Sequence, residues 1–174
     1  MLIKTIAVVG SHNSGKTTVI LKLVDALKKR NHNVAVVKYH HHEFDLDPKS
    51  KDSFLLRKSE ANVTLSITPN EIFSFQKITE LPEIDNITND FPEEVDICIV
   101  ESYPRGKKEL PTIFVANELE DLQDTVTRYT NIKPIIITGR IVNRFIDNPI
   151  RELNNIPFVN IEKINEEDIK RLLE

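Results

Sequence analysis

Apolar positions along the chain follow two rhythms. Ile3 to Val9, Val34 to Val37, Asp96 to Glu101, Thr112 to Val115 and Ile135 to Thr138 are short runs rich in β-branched residues. Such runs read as strands buried on both faces. Between the first two, Val19, Ile20, Leu23, Val24 and Leu27 recur on one helical face. The spacing predicts a helix over Lys16 to Arg30, closed by the turn formers Asn31-His32-Asn33. Strand, loop, helix and strand in that order make the βαβ unit of a parallel sheet.

The remaining pattern is weaker. His40 to Ser50 is polar and reads as a loop, and Asp52 to Ser59 as a short helix with an acid near its N-terminus. Val63 to Ile67 and Glu71 to Phe75 read as short strands around Thr68-Pro69-Asn70. Residues 76–94 carry Pro82, Pro92 and several acids and read as an exposed, partly helical connection. Helices are expected at Leu119 to Tyr129, Val142 to Leu153 and Ile164 to Glu174. No internal repeat and no composition break divides the chain, so residues 1–174 are expected to form a single nucleotide-binding domain.

Composition narrows the function classes. A net charge of −4 and a pI near 5.8, with basic residues scattered among acids, exclude a bulk electrostatic pull toward nucleic acid. No apolar stretch has the length of a membrane span, and the N-terminus lacks the basic start and cleavage site of a signal peptide, so a cytoplasmic protein is expected. Cys98 is the only cysteine and lies inside the run Ile97-Cys98-Ile99-Val100. It reads as a core thiol, with no disulfide and no cysteine zinc site within the chain.

The chemistry begins where the first strand ends. Gly10-Ser11-His12-Asn13-Ser14-Gly15-Lys16-Thr17 fits G-x-x-x-x-G-K-[ST] without a mismatch, between a strand and a helix as the phosphate loop requires. Glycines let the backbone turn and approach a phosphate without a clashing Cβ. Successive N–H groups form an anion-binding concavity, and the helix adds its positive end. Lys16 reaches the β- and γ-phosphates, and the Thr17 hydroxyl is placed for Mg²⁺. Thr18 either faces the α-phosphate or is an ordinary helix residue. The expected fold class is therefore α/β, a P-loop NTPase with a mostly parallel sheet and helices on both faces.

Such a loop needs a carboxylate at the end of a neighbouring strand. Asp96 and Glu101 flank the run Ile97 to Val100, roughly 16 Å apart if extended at about 3.3 Å per residue. Ligands of open α/β sheets sit at the carboxyl ends of strands. That favours Glu101 for the metal or its water and leaves Asp96 as a solvated residue at the strand start. Lys38-Tyr39-His40-His41-His42-Glu43-Phe44-Asp45-Leu46-Asp47 leaves the carboxyl end of the second strand. Its side chains suit nucleotide, Mg²⁺ or a partner ligand. A transition-metal site is the other reading, but adjacent strand residues point opposite ways. Asp45 and Asp47 share a face if extended.

These segments resemble the molybdopterin-guanine dinucleotide biosynthesis protein B (MobB) family. The phosphate loop from Val8 to Thr18 is one match. Lys38 to Asp47, continuing through Lys51-Asp52-Ser53 to Leu56-Arg57-Lys58, is similar to the family's K-H-x-H-H-D-x-D-x-D, G-K-D-S and L-R-K-A-G-A. Asp96 to Glu101 is similar to its D-x-x-L-V-E-G-F-K. Here Tyr39 stands for the first histidine, Ser50 and Glu60 for glycines, and Ser102-Tyr103-Pro104 for Gly-Phe-Lys. The resemblance implies a GTP-binding adapter with weak GTPase activity, a homodimer that assists the MobA-like guanylyltransferase attaching GMP to molybdopterin. It implies GTP and Mg²⁺ as ligands and molybdopterin as a further one. Lys16 and Glu101 are then the candidate catalytic residues, and Thr17, Glu101 and Asp47 the candidate metal ligands. Two other readings of the residues stay open: a nickel-insertion accessory GTPase, and a small-molecule P-loop kinase, for which no arginine-rich lid is evident. Guanine and adenine are not distinguished. The N-K-x-D motif is absent, and Thr138-Gly139-Arg140 is either the best-placed segment beside the base or an ordinary strand-to-helix turn.

Overall fold

The β-branched runs pair as a single parallel sheet because each offers apolar side chains to both faces. The computed structural model describes residues 3–40, 52–104, 108–145 and 156–174. The chain divides into two compact units, Met1–Tyr39 with Glu83–Glu174, and His40–Pro82. In chain order the elements are β1 (Lys4–Val9), α1 (Lys16–Lys28), β2 (Val34–Lys38), α2 (Asp52–Lys58), β3 (Val63–Ile67), β4 (Ile72–Gln76), α3 (Ile84–Thr88), β5 (Ile97–Glu101), β6 (Thr112–Val115), α4 (Leu119–Arg128), β7 (Ile136–Thr138), α5 (Val142–Phe145), a 3₁₀ turn (Ile161–Lys163) and α6 (Glu166–Leu173).

In the larger unit the strand order is β2-β5-β1-β6-β7, every pair parallel. From β1 the chain passes to one side, to β2. After β5 it crosses to the other side, to β6. The carboxyl ends of β1 and β5 therefore flank the crevice where ligands of such sheets bind.

Strand alternation divides the core cleanly. Ile6 and Val8 of β1, Ile97 and Ile99 of β5, and Ile113 and Val115 of β6 pack with Val19, Ile20, Leu23 and Leu27 of α1 and with Ile169 and Leu172 of α6. The intervening residues point the other way. Val9 and Phe114 meet Leu122 of α4 and Val142 of α5, and Ala7, Cys98 and Val100 meet Ile84 of α3. Helices thus cover both faces, each fully buried Ile or Leu contributing about 1.5–3 kcal/mol.

Three expectations change in detail. The 76–94 connection is not wholly exposed, because Ile84 is completely buried in the core. The last helix starts at Glu166 rather than Ile164, since Asn165 and Asp168 form a reciprocal capping box that fixes its first turn. The expected helix Val142 to Leu153 is seen over Val142–Phe145, and its remainder lies outside the described residues.

Asp96 is also not a solvated bystander. Its carboxylate accepts the Asn33 N–H at 2.8 Å and pairs with His32 Nδ1 at 2.8 Å. These contacts tie the α1–β2 turn, where Asn31 takes the left-handed φ of 64° that ends the helix, to the start of β5. Partial burial works to raise the carboxyl, but His32 and the Asn33 N–H outweigh it and hold Asp96 below its ordinary 3.8.

In the smaller unit, β3 and β4 form an antiparallel hairpin in which Ile67 faces Ile72, Leu65 faces Ser74 and Val63 faces Gln76. The Thr68 hydroxyl accepts the Glu71 N–H at 3.0 Å and shapes the turn. α2 lies beside the hairpin, with the Arg57 guanidinium 5.4 Å from the Phe75 ring and 5.5 Å from the Phe54 ring.

A lowered folded-state pKa means that the Asp96 contribution is present above 3.8 and is lost as the pH falls through the folded value. Asp96→Asn is expected to lower stability at neutral pH by about 1 kcal/mol. Urea denaturation across a pH series should show the gap to the unmodified chain closing under acid.

Candidate functional site

The loop between β1 and α1 turns through two left-handed residues. Asn13 (φ 59°) and Gly15 (φ 93°) are both left-handed, a backbone that gathers successive N–H groups on one side. No side chain caps α1 and no acid occupies its first turn, in contrast to the capping box of α6. The positive end of a 13-residue helix is thus available to an anion. Lys16 Nζ folds back over the loop, donating to the carbonyls of Gly10 (3.1 Å) and Ser11 (2.6 Å). Its burial, opposed by the Glu101 carboxylate and aided by the positive Lys38 and Arg128, lowers its pKa.

Two glycines set how closely the backbone packs here. A Cβ on Gly10 would run into the Val115 carbonyl of β6 and sit 2.6 Å from Ser14 Oγ. One on Gly139, at φ 105°, would strike the Ala116 carbonyl. A Cβ on Gly15 would meet nothing within 4 Å. Gly15 is required by its dihedral angle alone, Gly139 by both dihedral and space.

Strand parity carries Glu101 into the site. Ile97 and Ile99 point toward α1, and Glu101 continues that series at the carboxyl end of β5. It is 6% exposed, with Oε1 3.5 Å from the Thr17 hydroxyl and 3.3 Å from Lys38 Nζ. Asp96 sits at the other end of the strand, held by the α1–β2 turn. Between the two acids, the geometry puts Glu101 at the loop. Thr17 Oγ1 and the Glu101 carboxylate present hard oxygen donors side by side, a set that fits Mg²⁺.

The other expected residues are distributed around this point. Ser14 is buried, with an Oγ that has no hydrogen-bond partner among the described residues. His12 and Asn13 are exposed, and Thr18 lines a cavity beside the loop. His40 is the only described histidine of its triplet, and Asp47 lies outside the described residues. No group of three metal-ligating side chains occurs among the described residues, and no helix among them is long and apolar enough to cross a membrane. Cys98 is wholly buried and its thiol is pushed up to about 12, as its apolar run suggests.

Three neighbours were not legible as site residues. Lys38 stands opposite Glu101 in the β2–β5 register, a signal available only once those strands are known to be adjacent. Asp121, in the first turn of α4, accepts the Ser11 hydroxyl at 2.8 Å and the Asn117 N–H at 3.1 Å. The Ser11 hydrogen bond is the main reason its carboxyl is held below the usual range. Asn117, just past β6, also donates from Nδ2 to the Asn13 carbonyl at 3.1 Å. Together they brace the loop from the side away from Glu101.

The cavity beside the loop has a volume of about 410 Å³, within the range of small-molecule sites. Asn13, Gly15 and Thr18 line it from the phosphate loop and the start of α1, and Arg140, Asn143 and Asn160 form another wall.

A parallel sheet with this loop after β1 and a carboxylate at the end of β5 defines a P-loop nucleotide-binding α/β protein. The family model described as molybdopterin guanine dinucleotide synthesis protein B matches residues 5–137, and the chain belongs to that family. Among curated relatives, a putative molybdopterin-guanine dinucleotide biosynthesis adapter protein of Methanocaldococcus jannaschii is 27% identical over 73% of this chain. The Escherichia coli adapter protein is 29% identical over 59% of it. The chain spans 53% and 60% of the lengths of those two relatives. The Haemophilus influenzae adapter protein matches at 26% identity over 89% of this chain and 84% of its own length. The crystal structure of Bacillus subtilis MobB superposes with a TM-score of 0.67 at 20% identity, covering 99% of both chains. A MobB homolog from Bacillus stearothermophilus superposes at 0.62 and 19%, covering 95% of this chain and 93% of its own. At that identity the two structures establish a shared fold, with a mostly parallel sheet flanked by helices.

Gly15→Ala is expected to cost about 1–2 kcal/mol, the strain of a left-handed residue bearing a Cβ. Gly139→Ala adds a collision with a backbone carbonyl and is expected to cost more, about 3 kcal/mol. Denaturant midpoints of the two variants should fall in that order.

Proposed function

We propose that this chain is a nucleotide-binding adapter of molybdopterin guanine dinucleotide synthesis, holding GTP with Mg²⁺ at the Gly10–Thr17 loop and hydrolysing it slowly. The observation that carries the reading is the buried Glu101 carboxylate 3.5 Å from the Thr17 hydroxyl, beside Lys16 and an uncapped helix N-terminus. Family membership and the adapter names of the relatives support the pathway. Lys16 serves the phosphates, and Thr17 and Glu101 hold Mg²⁺ or its water. When bound, that ion neutralises phosphate charge during transfer to water. Lys38 sits against Glu101 and limits its negative charge toward the nucleotide. The partner is a MobA-like guanylyltransferase, with molybdopterin as its substrate, in the cytoplasm.

A homodimer is part of this reading, and the hairpin supports it. Val63, Leu65, Ile67 and Ile72 share one face of β3–β4 by register and are 51, 57, 70 and 69% exposed. An alternating apolar stripe left in water on a single chain is a surface that calls for a partner. A second copy would present the same stripe.

Lys16→Ala is expected to abolish GTP binding in calorimetric titration; retained affinity would remove the phosphate-loop assignment. Glu101→Gln should keep GTP binding while Mg²⁺-dependent phosphate release falls at least about tenfold, a modest share of the usual effect of such groups. Complex formation with a molybdopterin guanylyltransferase, stronger with GTP than with ATP, tests the adapter role. In sedimentation velocity the unmodified chain should run as a dimer, and Ile67→Asp with Ile72→Asp as a monomer.

A further inference from the structure

The cavity of about 410 Å³ next to the phosphate loop shares Gly15 and Thr18 with it, so a nucleotide anchored there extends its base toward the other wall. That wall begins where Gly139 turns the chain against the end of β6. Ile141 and Val142 are buried in the core, which leaves Arg140 and Asn143 together on the outward face, three residues apart. Both line the cavity, and neither side chain has a hydrogen bond or ion pair among the described residues.

Several other polar groups of the lining are committed elsewhere. Asn117 Nδ2 donates to the Asn13 carbonyl. Asn160 Oδ1 accepts the Glu162 N–H at 3.0 Å. Glu162 is the only carboxylate on the described lining, and Lys22 Nζ holds it at 2.8 Å. Arg140 is thus the one cationic side chain on the described lining, and the one carboxylate there is already paired.

That chemistry selects one edge of one class of purine. A guanidinium carries five N–H donors and no acceptor. A 6-oxopurine presents two acceptors on one edge, O6 and N7, which suit a bidentate guanidinium. Adenine puts its N6 amine at that place, donor against donor. Reading guanine through N1–H and the 2-amino group together calls for a bidentate carboxylate, and Glu162, the one carboxylate of the described lining, is held by Lys22. We propose that Arg140, supported by Asn143, is the base-reading residue of this site and that it recognises 6-oxopurine nucleotides through O6 and N7, without regard to the 2-amino group. The proposal rests on the nucleotide-binding reading above and adds which base is held and by what.

The experiment is calorimetric titration of the full chain with Mg²⁺ and four triphosphates: GTP, ITP, 7-deaza-GTP and ATP. ITP keeps O6 and N7 but lacks the 2-amino group, and 7-deaza-GTP keeps everything but N7. GTP and ITP should bind within about threefold of each other, and ATP about tenfold to a hundredfold more weakly, the range of one bidentate base contact. 7-Deaza-GTP should fall between them. Arg140→Ala should bring GTP and ITP down toward ATP while ATP is unchanged, and Arg140→Lys should restore only part of the difference. Arg140 is exposed, so a thermal melt should show the variant folded. Rejection of ITP as strongly as ATP would overturn the proposal, as would a base order unmoved by Arg140→Ala. Lys16→Ala should weaken all four nucleotides alike; if it leaves GTP affinity intact the phosphate-loop reading fails, an outcome separable from a base order unmoved by Arg140→Ala.

Discussion

A carboxylate taken out of water must be answered by a cation or by hydrogen-bond donors, and the site is arranged around that demand at Glu101. β5 is buried along its whole length between β2 and β1. Its last residue cannot escape to solvent, yet it is an acid. Lys38 from one neighbouring strand and Thr17 from the helix after the other converge on it. The same strand parity that packs Ile97 and Ile99 against α1 delivers Glu101 to that helix's first turn. Core packing and site geometry are thus one constraint, and shifting the β1–β5 register by a single residue would send Glu101 to the α3 face.

The phosphate loop is held from its other side by a separate set of contacts. Asp121 binds Ser11, Asn117 binds Asn13, and Gly10 and Gly139 bring their backbones against the ends of β6. The loop sits between the Glu101 carboxylate on β5 and the cavity past β7. Neighbouring elements thereby supply the support that an N-capping side chain would otherwise provide, and the N-terminus of α1 stays uncapped.

Most of the larger unit was legible in the residue pattern, for a physical reason. Parallel strands buried on both faces leave unbroken β-branched runs, and all five were read within a residue or two. The loop was legible because backbone geometry and lysine chemistry demand fixed spacing, and Glu101 because ligands gather at carboxyl ends of strands. What was hidden depends on strand adjacency. Lys38 looks like any surface lysine until β2 lies beside β5. Asp121 looks like a first-turn helix acid until α4 is folded over Ser11. Asp96 read as solvated because its partners, His32 and Asn33, are more than sixty residues away in sequence. Ile84 was masked by the acids and prolines around it.

The hairpin stripe has a consequence for how order in the smaller unit depends on conditions. A two-stranded sheet has little stability of its own in water, and here α2 packs on it through Phe54, Arg57 and Phe75. The face bearing Val63, Leu65 and Ile67 contributes nothing until something covers it. On the proposed pairing of two copies, its persistence follows mass action: dilution would let this hairpin open while the larger unit, with its own three-layer core, stays closed. On that reading the chain carries one part whose order is intrinsic and another whose order is a function of concentration.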